Sequence, residues 1–141
     1  MVMKKNNKML SIFFNKFYGI SIKLNSTFLL NLSFKLFNKP ISVTRSGEDY
    51  KVSSQGKEIY IKHLARIYIY LDASIGLSTR LDSLFNEYLL NEIQFNENDI
   101  VIDCGAHMGE LSYYFIDKKI LYYAFEPSSS LQTCLEKNIK S

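Results

Sequence analysis

The chain has 141 residues, of which 47% are hydrophobic and 22% charged; this is the composition of a one-domain globular protein and excludes an intrinsically disordered one. Two cysteines, Cys104 and Cys134, are too few for a disulfide scaffold, so we expect buried free thiols and a reducing, cytoplasmic setting. The net charge of +3 is unevenly distributed, since residues 1–47 carry +8 and residues 48–141 carry −5.

The basic segment, residues 1–47, contains seven lysines and Arg45 but no acidic residue, and it is rich in Phe, Leu and Ile. We interpret it as a mainly helical extension that packs on a part of the protein missing from this chain, with weak contact to an anionic membrane surface as the alternative. Lysines and asparagines interrupt every window of about 20 residues, which disfavours a transmembrane span. No nucleic-acid-binding module is recognisable, so we expect no nucleic-acid partner. At residues 30–36, alternating apolar and polar side chains leave helix and strand open.

Three further elements are predicted before residue 95. Residues 50–62 form a hairpin around a polar turn at 53–56, and residues 64–73 form a short helix. Residues 79–93 form the clearest helix, which begins with a capping box of Thr79 and Asp82 and packs against a sheet. Its apolar stripe consists of Leu81, Leu84, Phe85, Tyr88, Leu89 and Ile93.

A strand, a glycine turn and a helix follow. The apolar run at 100–102 predicts a strand buried on both faces, which Asp103 ends. Gly105 and Gly109 bracket a tight turn, where glycine permits positive φ and the close approach of a ligand. From about Gly109 the pattern predicts a helix, whose N-terminus faces the turn and favours a carboxylate or phosphate.

A second buried strand is predicted at 120–125, and it ends at an acidic residue. Glu126 lies 21 residues after Gly105, where a βαβ nucleotide-binding unit places the acid that binds ribose hydroxyls. Pro127 stops the strand, and a serine then caps a helix with one apolar face. That face contains Leu131, Leu135 and Ile139.

The glycine pattern distinguishes two classes of adenosine-bearing cofactor. A dinucleotide needs a second glycine against its pyrophosphate, and here His107 occupies that position. The carboxylate of Asp103 repels a pyrophosphate but suits a cofactor with an ammonium and a sulfonium group. The pattern therefore favours S-adenosylmethionine, and an NAD-dependent Rossmann oxidoreductase fragment is an alternative supported only by Glu126.

The stretches DCGAHMGELS, AFEP and LQTCLEKNI resemble, in order and spacing, the opening of FkbM-type methyltransferases, a branch of the class I S-adenosylmethionine-dependent enzymes. The resemblance covers residues 78–141. It implies an α/β, incomplete Rossmann-like fold with the first two of seven strands, preceded at 1–77 by the basic extension and its hairpin. We therefore expect the truncated N-terminal portion of the enzyme, with doubtful activity alone.

The resemblance also implies roles for individual residues. Asp103 and Gly105 would lie along the methionine part of the cofactor, Gly109 would permit the close turn, and Glu126 would hold the ribose. His107 replaces the family's usual asparagine. The complete predicted cofactor-binding set is Asp103, Gly105, Ala106, His107, Gly109, Glu126 and Pro127.

The implied reaction is O-methylation of a hydroxyl group on a small-molecule or saccharide acceptor, with no identifiable catalytic base. No metal is expected, because His107 and Glu110 are two possible ligands without a third. A third hypothesis, from a different class, is a non-catalytic fragment that binds a membrane surface or a protein partner.

Overall fold

A computed structural model describes residues 2–71 and 76–140, with side chains described for 11–71 and 76–139. These residues form an α/β structure in which helices accompany a three-stranded antiparallel sheet and a two-stranded parallel sheet. The main apolar cluster takes residues from both predicted domains, for example Val52, Met108 and Phe115. The division at residue 77 stays a prediction.

The basic segment begins with two helices, α1 (Val2–Lys23) and α2 (Thr27–Leu36), which contact each other. The Oγ atom of Ser26 accepts a hydrogen bond from the Leu29 backbone N–H (3.3 Å), which caps α2. Leu30 and Phe34, four residues apart, are buried on its inner face, so the segment left open between helix and strand is helical. Among the described residues, no helix combines the length and apolarity needed to cross a bilayer.

The three-stranded sheet contains β1 (Ser42–Ser46), β2 (Asp49–Ser54) and β3 (Lys57–Ile61). The predicted hairpin is confirmed as β2 and β3, and β1 is an additional strand on the other side of β2. Val43, Val52 and Ile59 face each other across the sheet and are 0% exposed. This sheet therefore has a fully covered apolar face.

Asparagine side chains from two helices close both edges of this sheet. From α2, Asn31 donates to the Val43 carbonyl and accepts from the Val43 N–H, both at 2.7 Å. On the opposite edge, the Asn138 amide accepts from the Tyr60 N–H (2.7 Å) and donates to the Tyr60 carbonyl (2.9 Å). Each amide pairs with the N–H and carbonyl groups of one edge residue, Val43 or Tyr60, which a further strand would otherwise pair.

The segment after β3 forms a 3₁₀ turn at Leu64–Ile67 and then α3 (Tyr68–Leu71), which confirms the predicted short helix there. Residues 72 and 73 of that prediction lie outside the described residues. The next helix, α4 (Gly76–Glu87), packs against α3, β2 and β3.

The predicted helix at 79–93 is wrong at both ends. Since α4 begins at Gly76, Thr79 lies inside the helix and the proposed capping box does not form its start. Leu89 has a left-handed φ of 55°, which breaks the helix before a 3₁₀ turn at Leu90–Glu92. The predicted stripe is therefore buried only at Leu81, Leu84 and Phe85, whereas Tyr88, Leu89 and Ile93 are exposed.

The second sheet pairs β4 (Ile100–Cys104) with β5 (Leu121–Phe125) in parallel, which confirms the two predicted strands. The expectation that they are buried on both faces is wrong. One face packs on the molecule through contacts such as Phe115 stacked on Tyr122 (5.3 Å between ring centroids). Alternate side chains on the other face are 48–62% exposed; these are Ile100, Ile102, Leu121, Tyr123 and Phe125.

The cysteines also differ from expectation. Both are free, but only Cys134 is buried, whereas Cys104 is exposed at the end of β4. Cys104 lies on the same exposed face of β4 as Ile100 and Ile102.

The helix predicted from Gly109 is reduced to one turn, α5 (Ser112–Phe115). The preceding backbone N–H groups are used within turns, with Gly109 donating to Ala106 (2.7 Å) and Ser112 donating to Gly109 (3.1 Å). The predicted anion-favouring helix N-terminus is therefore wrong, because a single turn supplies little dipole.

The last helix, α6 (Ser129–Lys140), confirms the helix predicted after Pro127, although its buried face is shifted. Cys134, Leu135 and Asn138 are buried, while Ile139 is 40% exposed. Asn138, rather than the predicted Ile139, is buried at the end of this face, because its side-chain amide bonds to the edge of β3.

Candidate functional site

Because β4 and β5 are parallel, their carboxyl ends meet at one edge, where polar residues follow each strand. The loop after β4 is tied to the end of β5, since the N–H groups of Gly105 (2.8 Å) and Ala106 (3.0 Å) both donate to the Phe125 carbonyl. This connection brings Asp103 and the glycine loop beside Glu126.

Glu126 holds two backbone segments together. Its Oε2 accepts from the His107 N–H (2.9 Å), and its Oε1 accepts from the Ser128 N–H (2.8 Å). A carboxylate offers about four lone-pair positions, so each oxygen retains capacity for a further donor. Glu126 both fixes the loop and presents acceptors at the sheet edge.

The strand β4 continues one residue beyond Asp103, which was predicted to end it. The Asp103 side chain is partly buried, and its Oδ2 accepts a 2.5 Å hydrogen bond from the Tyr122 hydroxyl. Burial, followed by this bond and the carboxylate charge, raises the pKa of Tyr122 far above the ordinary tyrosine value. The phenol therefore stays protonated at neutral pH and donates its proton to the hydrogen bond that orients the Asp103 side chain.

The two glycines of the loop have different surroundings, although both have the positive φ expected from the sequence (86° at Gly105 and 79° at Gly109). A Cβ at Gly105 would meet no atom within 4 Å, whereas one at Gly109 would lie 2.7 Å from Cδ1 of Leu135. Gly105 thus faces open space beside the strand ends. Gly109 lies behind the loop and lets α6 pack closely.

His107 has a left-handed φ of 53°. Histidine and asparagine are among the few non-glycine residues that tolerate this region, so the loop backbone is compatible with the side chain present here. Burial, followed by the charge of Arg66, lowers the pKa of His107. Its buried Nδ1 atom has no hydrogen-bond partner among the residues described.

A cavity of about 160 Å³ lies against the loop. Of the predicted set, Asp103, Gly105, Ala106 and His107 line this cavity, whereas Gly109, Glu126 and Pro127 do not. The structure thus brings the predicted residues to one edge but divides them between the cavity, the β5 end and the packing against α6.

A charged cluster that was not anticipated from the sequence also lines the cavity. The buried Glu110 accepts a 2.7 Å hydrogen bond from the Tyr70 hydroxyl. Arg66 and Arg80 lie beside the same carboxylate, with nitrogen-to-oxygen distances of 3.6 and 4.0 Å. The two arginines come from separate segments, so no motif spacing connects them to the loop.

Asn138 was not among the predicted site residues, because it lies outside the apolar stripe predicted for this helix. Besides its bonds to Tyr60, its Nδ2 donates to the Met108 carbonyl (2.6 Å). It therefore links the glycine loop to the edge of the three-stranded sheet. Burial of a fully hydrogen-bonded amide is not visible from hydrophobic periodicity.

No group of three His, Cys, Asp or Glu side chains suited to a metal ion occurs within the described ranges 2–71 and 76–140. Comparison of the chain with protein-family models, curated proteins and solved structures finds no match.

Proposed function

We propose that this chain supplies the cofactor-binding portion of a class I S-adenosylmethionine-dependent methyltransferase. The observation that carries the proposal is the parallel β4–β5 pair, which aligns Asp103, the open position at Gly105 and Glu126 along one sheet edge. The resemblance of three sequence motifs to FkbM-type enzymes supports the same cofactor and implies a hydroxyl group of a sugar or natural product as acceptor.

The residues present fit the chemical groups of this cofactor. The carboxylate of Asp103 complements an ammonium group, and the absence of a side chain at Gly105 leaves room for an adenosine or thioether portion. Glu126 has spare lone pairs for ribose hydroxyls. When bound, the cofactor supplies a methyl group on a sulfonium; the residues of this chain bind and orient it.

A dinucleotide fits these residues less well. Asp103 places a negative charge beside the loop, His107 carries a side chain where the pyrophosphate needs bare backbone, and α5 is a single turn. Each feature acts against a pyrophosphate. The oxidoreductase alternative is therefore the weaker one.

The exposed face of the β4–β5 sheet agrees with the implied seven-stranded enzyme. Five large apolar side chains on that face are 48–62% exposed, and β4 and β5 pair only with each other among the described strands. In the active enzyme, we expect further strands to pair beside this sheet and helices to cover the exposed face.

Isothermal titration calorimetry with S-adenosylhomocysteine and NAD tests the proposed cofactor. We expect binding of the first and none of the second, and loss of binding in Gly105→Ala. Gly56→Ala is the matched control, because Gly56 also has positive φ (79° against 86°) and open space around its Cα, but lies in the β2–β3 turn. NAD binding without S-adenosylhomocysteine binding, or equal effects of the two variants, would contradict the proposal.

A second role is favoured by the two N-terminal helices. Exposed apolar residues recur along both, at Ile12, Phe13, Ile20, Phe28, Leu32 and Leu36, and Phe28 is 73% exposed. The exposed lysines Lys16, Lys23 and Lys35 lie among them, and the basic segment has no acidic residue. Apolar side chains combined with cations suit the surface of an anionic membrane.

Sedimentation with lipid vesicles tests this role. We expect the chain to sediment with vesicles containing phosphatidylserine at low salt, and not with pure phosphatidylcholine. Phe28→Ser combined with Leu36→Ser should weaken this binding, whereas Ile100→Ser combined with Phe125→Ser, which removes side chains of 62% and 59% exposure from the β4–β5 sheet, should not. Binding that is indifferent to lipid charge would contradict the membrane role.

A further inference from the structure

The cavity beside the glycine loop is lined by charged groups of both signs. Asp103 and Glu110 are its acidic lining residues, and Arg66 and Arg80 are its basic ones. The arginines come from the 3₁₀ turn after β3 and from α4, so the fold, rather than a sequence motif, brings them to the loop.

Neither guanidinium group is satisfied by its neighbours. The Nη2 of Arg66 lies 3.6 Å from Oε2 of Glu110, and the Nε of Arg80 lies 4.0 Å from its Oε1; both exceed hydrogen-bond distance. The Nε atoms of both arginines are buried and have no hydrogen-bond partner within the described part of the chain. An unpaired buried N–H group is unfavourable. The two arginine side chains as a whole are 36% and 23% exposed, so their guanidinium groups are partly accessible to a ligand.

Glu110 does not neutralise both arginines. It is a single buried carboxylate, and its Oε1 already accepts the 2.7 Å bond from Tyr70. Arg80 has a second acid, Glu87, at 3.8 Å, but that side chain is 59% exposed and screened by water. Two guanidinium groups and one buried carboxylate therefore leave a net positive charge at the cavity that Asp103 also lines.

A guanidinium pair selects a planar carboxylate, and a strand-end carboxylate selects an ammonium group. An amino acid carries both groups on one carbon atom. A cavity of about 160 Å³ suits this end of a ligand rather than a whole nucleoside.

We propose that Arg66 and Arg80 bind the α-carboxylate of the methionine portion of the cofactor, while Asp103 binds its ammonium group. This inference rests on the proposed function and assigns to two arginines the anion binding that the sequence assigned to a helix N-terminus. Both arginines are positioning residues for the ligand and take no part in the transfer of the methyl group.

Two ligands isolate the carboxylate. S-adenosylhomocysteine contains it, and the decarboxylated analogue of S-adenosylhomocysteine lacks it but keeps the ammonium, thioether and adenosine groups. We expect the unaltered chain to bind S-adenosylhomocysteine about 10- to 100-fold more tightly than the analogue, since charge-assisted hydrogen bonds are lost. Equal affinities would overturn the inference while leaving the proposed cofactor intact.

Arginine variants add a second comparison. Arg66→Gln and Arg80→Gln should each weaken S-adenosylhomocysteine about tenfold or more and change the affinity of the analogue by less than about twofold. Arg45→Gln, which makes the same charge change at an exposed position of β1, should change the affinity of neither ligand. Equal weakening of both ligands would show a structural effect and overturn the inference.

The outcomes separate the two proposals. If neither ligand binds the unaltered chain, the proposed cofactor fails and the carboxylate site fails with it. If both bind alike, only the carboxylate site fails. Should the glutamine variants not fold, the comparison of the two ligands on the unaltered chain still decides.

Discussion

The two sheets of this protein differ in how their surfaces are covered. The antiparallel sheet β1–β3 has a face at 0% exposure, and asparagine amides close both of its edges. In the parallel pair β4–β5, five large apolar side chains are exposed on one face. We call the first the closed sheet and the second the open sheet. The closed sheet contributes more to the buried core, and the candidate site lies at the end of the open sheet.

The connection between the two sheets is polar as well as apolar. Asn138 bonds both to Tyr60 in the closed sheet and to Met108 in the glycine loop, and Lys137 bonds to the buried Asp49 at 2.6 Å. The end of α6 therefore connects the closed sheet to the glycine loop beside the open sheet through hydrogen bonds.

The largest expected difference comes from equivalent isoleucines in the two sheets. Ile59→Ala, at 0% exposure, should lower the free energy of unfolding by about 2–5 kcal/mol, because it leaves a cavity in the core. Ile102→Ala, at 62% exposure, should change it by less than about 0.5 kcal/mol. Urea denaturation measures both values. Similar losses would mean that the face around Ile102 is covered in solution.

The two edge-closing asparagines provide the next comparison. Asn138→Ala should cost about 3 kcal/mol, because buried backbone groups at Tyr60 and Met108 lose their partners. Asn31→Ala removes two bonds to one residue and should cost about 1–2 kcal/mol. Thermal unfolding measures the loss, and calorimetry should show weaker cofactor binding only in Asn138→Ala. Equal effects on binding would contradict the link between α6 and the loop.

Asp49 makes the closed sheet sensitive to acid. Burial raises its pKa, but hydrogen bonds from Lys137 and Lys62 outweigh burial and hold the pKa of Asp49 below its usual value. A lowered folded-state pKa stabilises the fold above the ordinary aspartate value of about 3.9, and this contribution is lost as the pH falls through the folded-state pKa.

Asp49→Asn should therefore cost about 1.5–3 kcal/mol at pH 7, and the difference from the unaltered chain should shrink towards pH 2. Urea midpoints across this range measure it. Glu48→Gln is the control, since the Glu48 side chain is 89% exposed and should contribute less than about 0.5 kcal/mol. A cost for Asp49→Asn that is independent of pH would contradict this account.

The smallest expected effect concerns thiol reactivity rather than stability. Burial, followed by the charge of Asp49, raises the pKa of Cys134 to about 12, whereas Cys104 is exposed. We expect one thiol per folded chain to react rapidly with an aromatic disulfide reagent, and the second thiol to react only in denaturant. Cys104→Ser should abolish the rapid phase. Rapid reaction of two thiols would show that α6, which contains Cys134, readily separates from the closed sheet.

Local sequence patterns predicted the positions of the helices and strands better than the burial of those elements. The strands at 100–104 and 121–125, the hairpin and the last helix followed from apolar runs and turn residues. The burial of β4 and β5 was overestimated because a continuous apolar run does not reveal whether a partner covers both faces. The helix after Gly109 was overestimated because its N–H groups bond within turns.

Within the candidate site, the sequence identified the residues at the strand ends and missed those brought there by the fold. Asp103, Gly105 and Glu126 are recognisable because their spacing is fixed by one βαβ unit. Arg66, Arg80 and Asn138 reach the loop from other elements. Their positions depend on tertiary packing, to which spacing along the chain gives no guide.

Amide chemical shifts measured by NMR on addition of S-adenosylhomocysteine test most directly whether the open sheet edge binds the cofactor. Because shift changes detect binding in the millimolar range, weak binding is measured as well as tight binding. We predict that the amides of Gly105, Ala106 and His107 shift, while those of Val43 and Val52 in the closed sheet do not. Absence of any shift in the loop, or shifts there with NAD alone, would contradict the account.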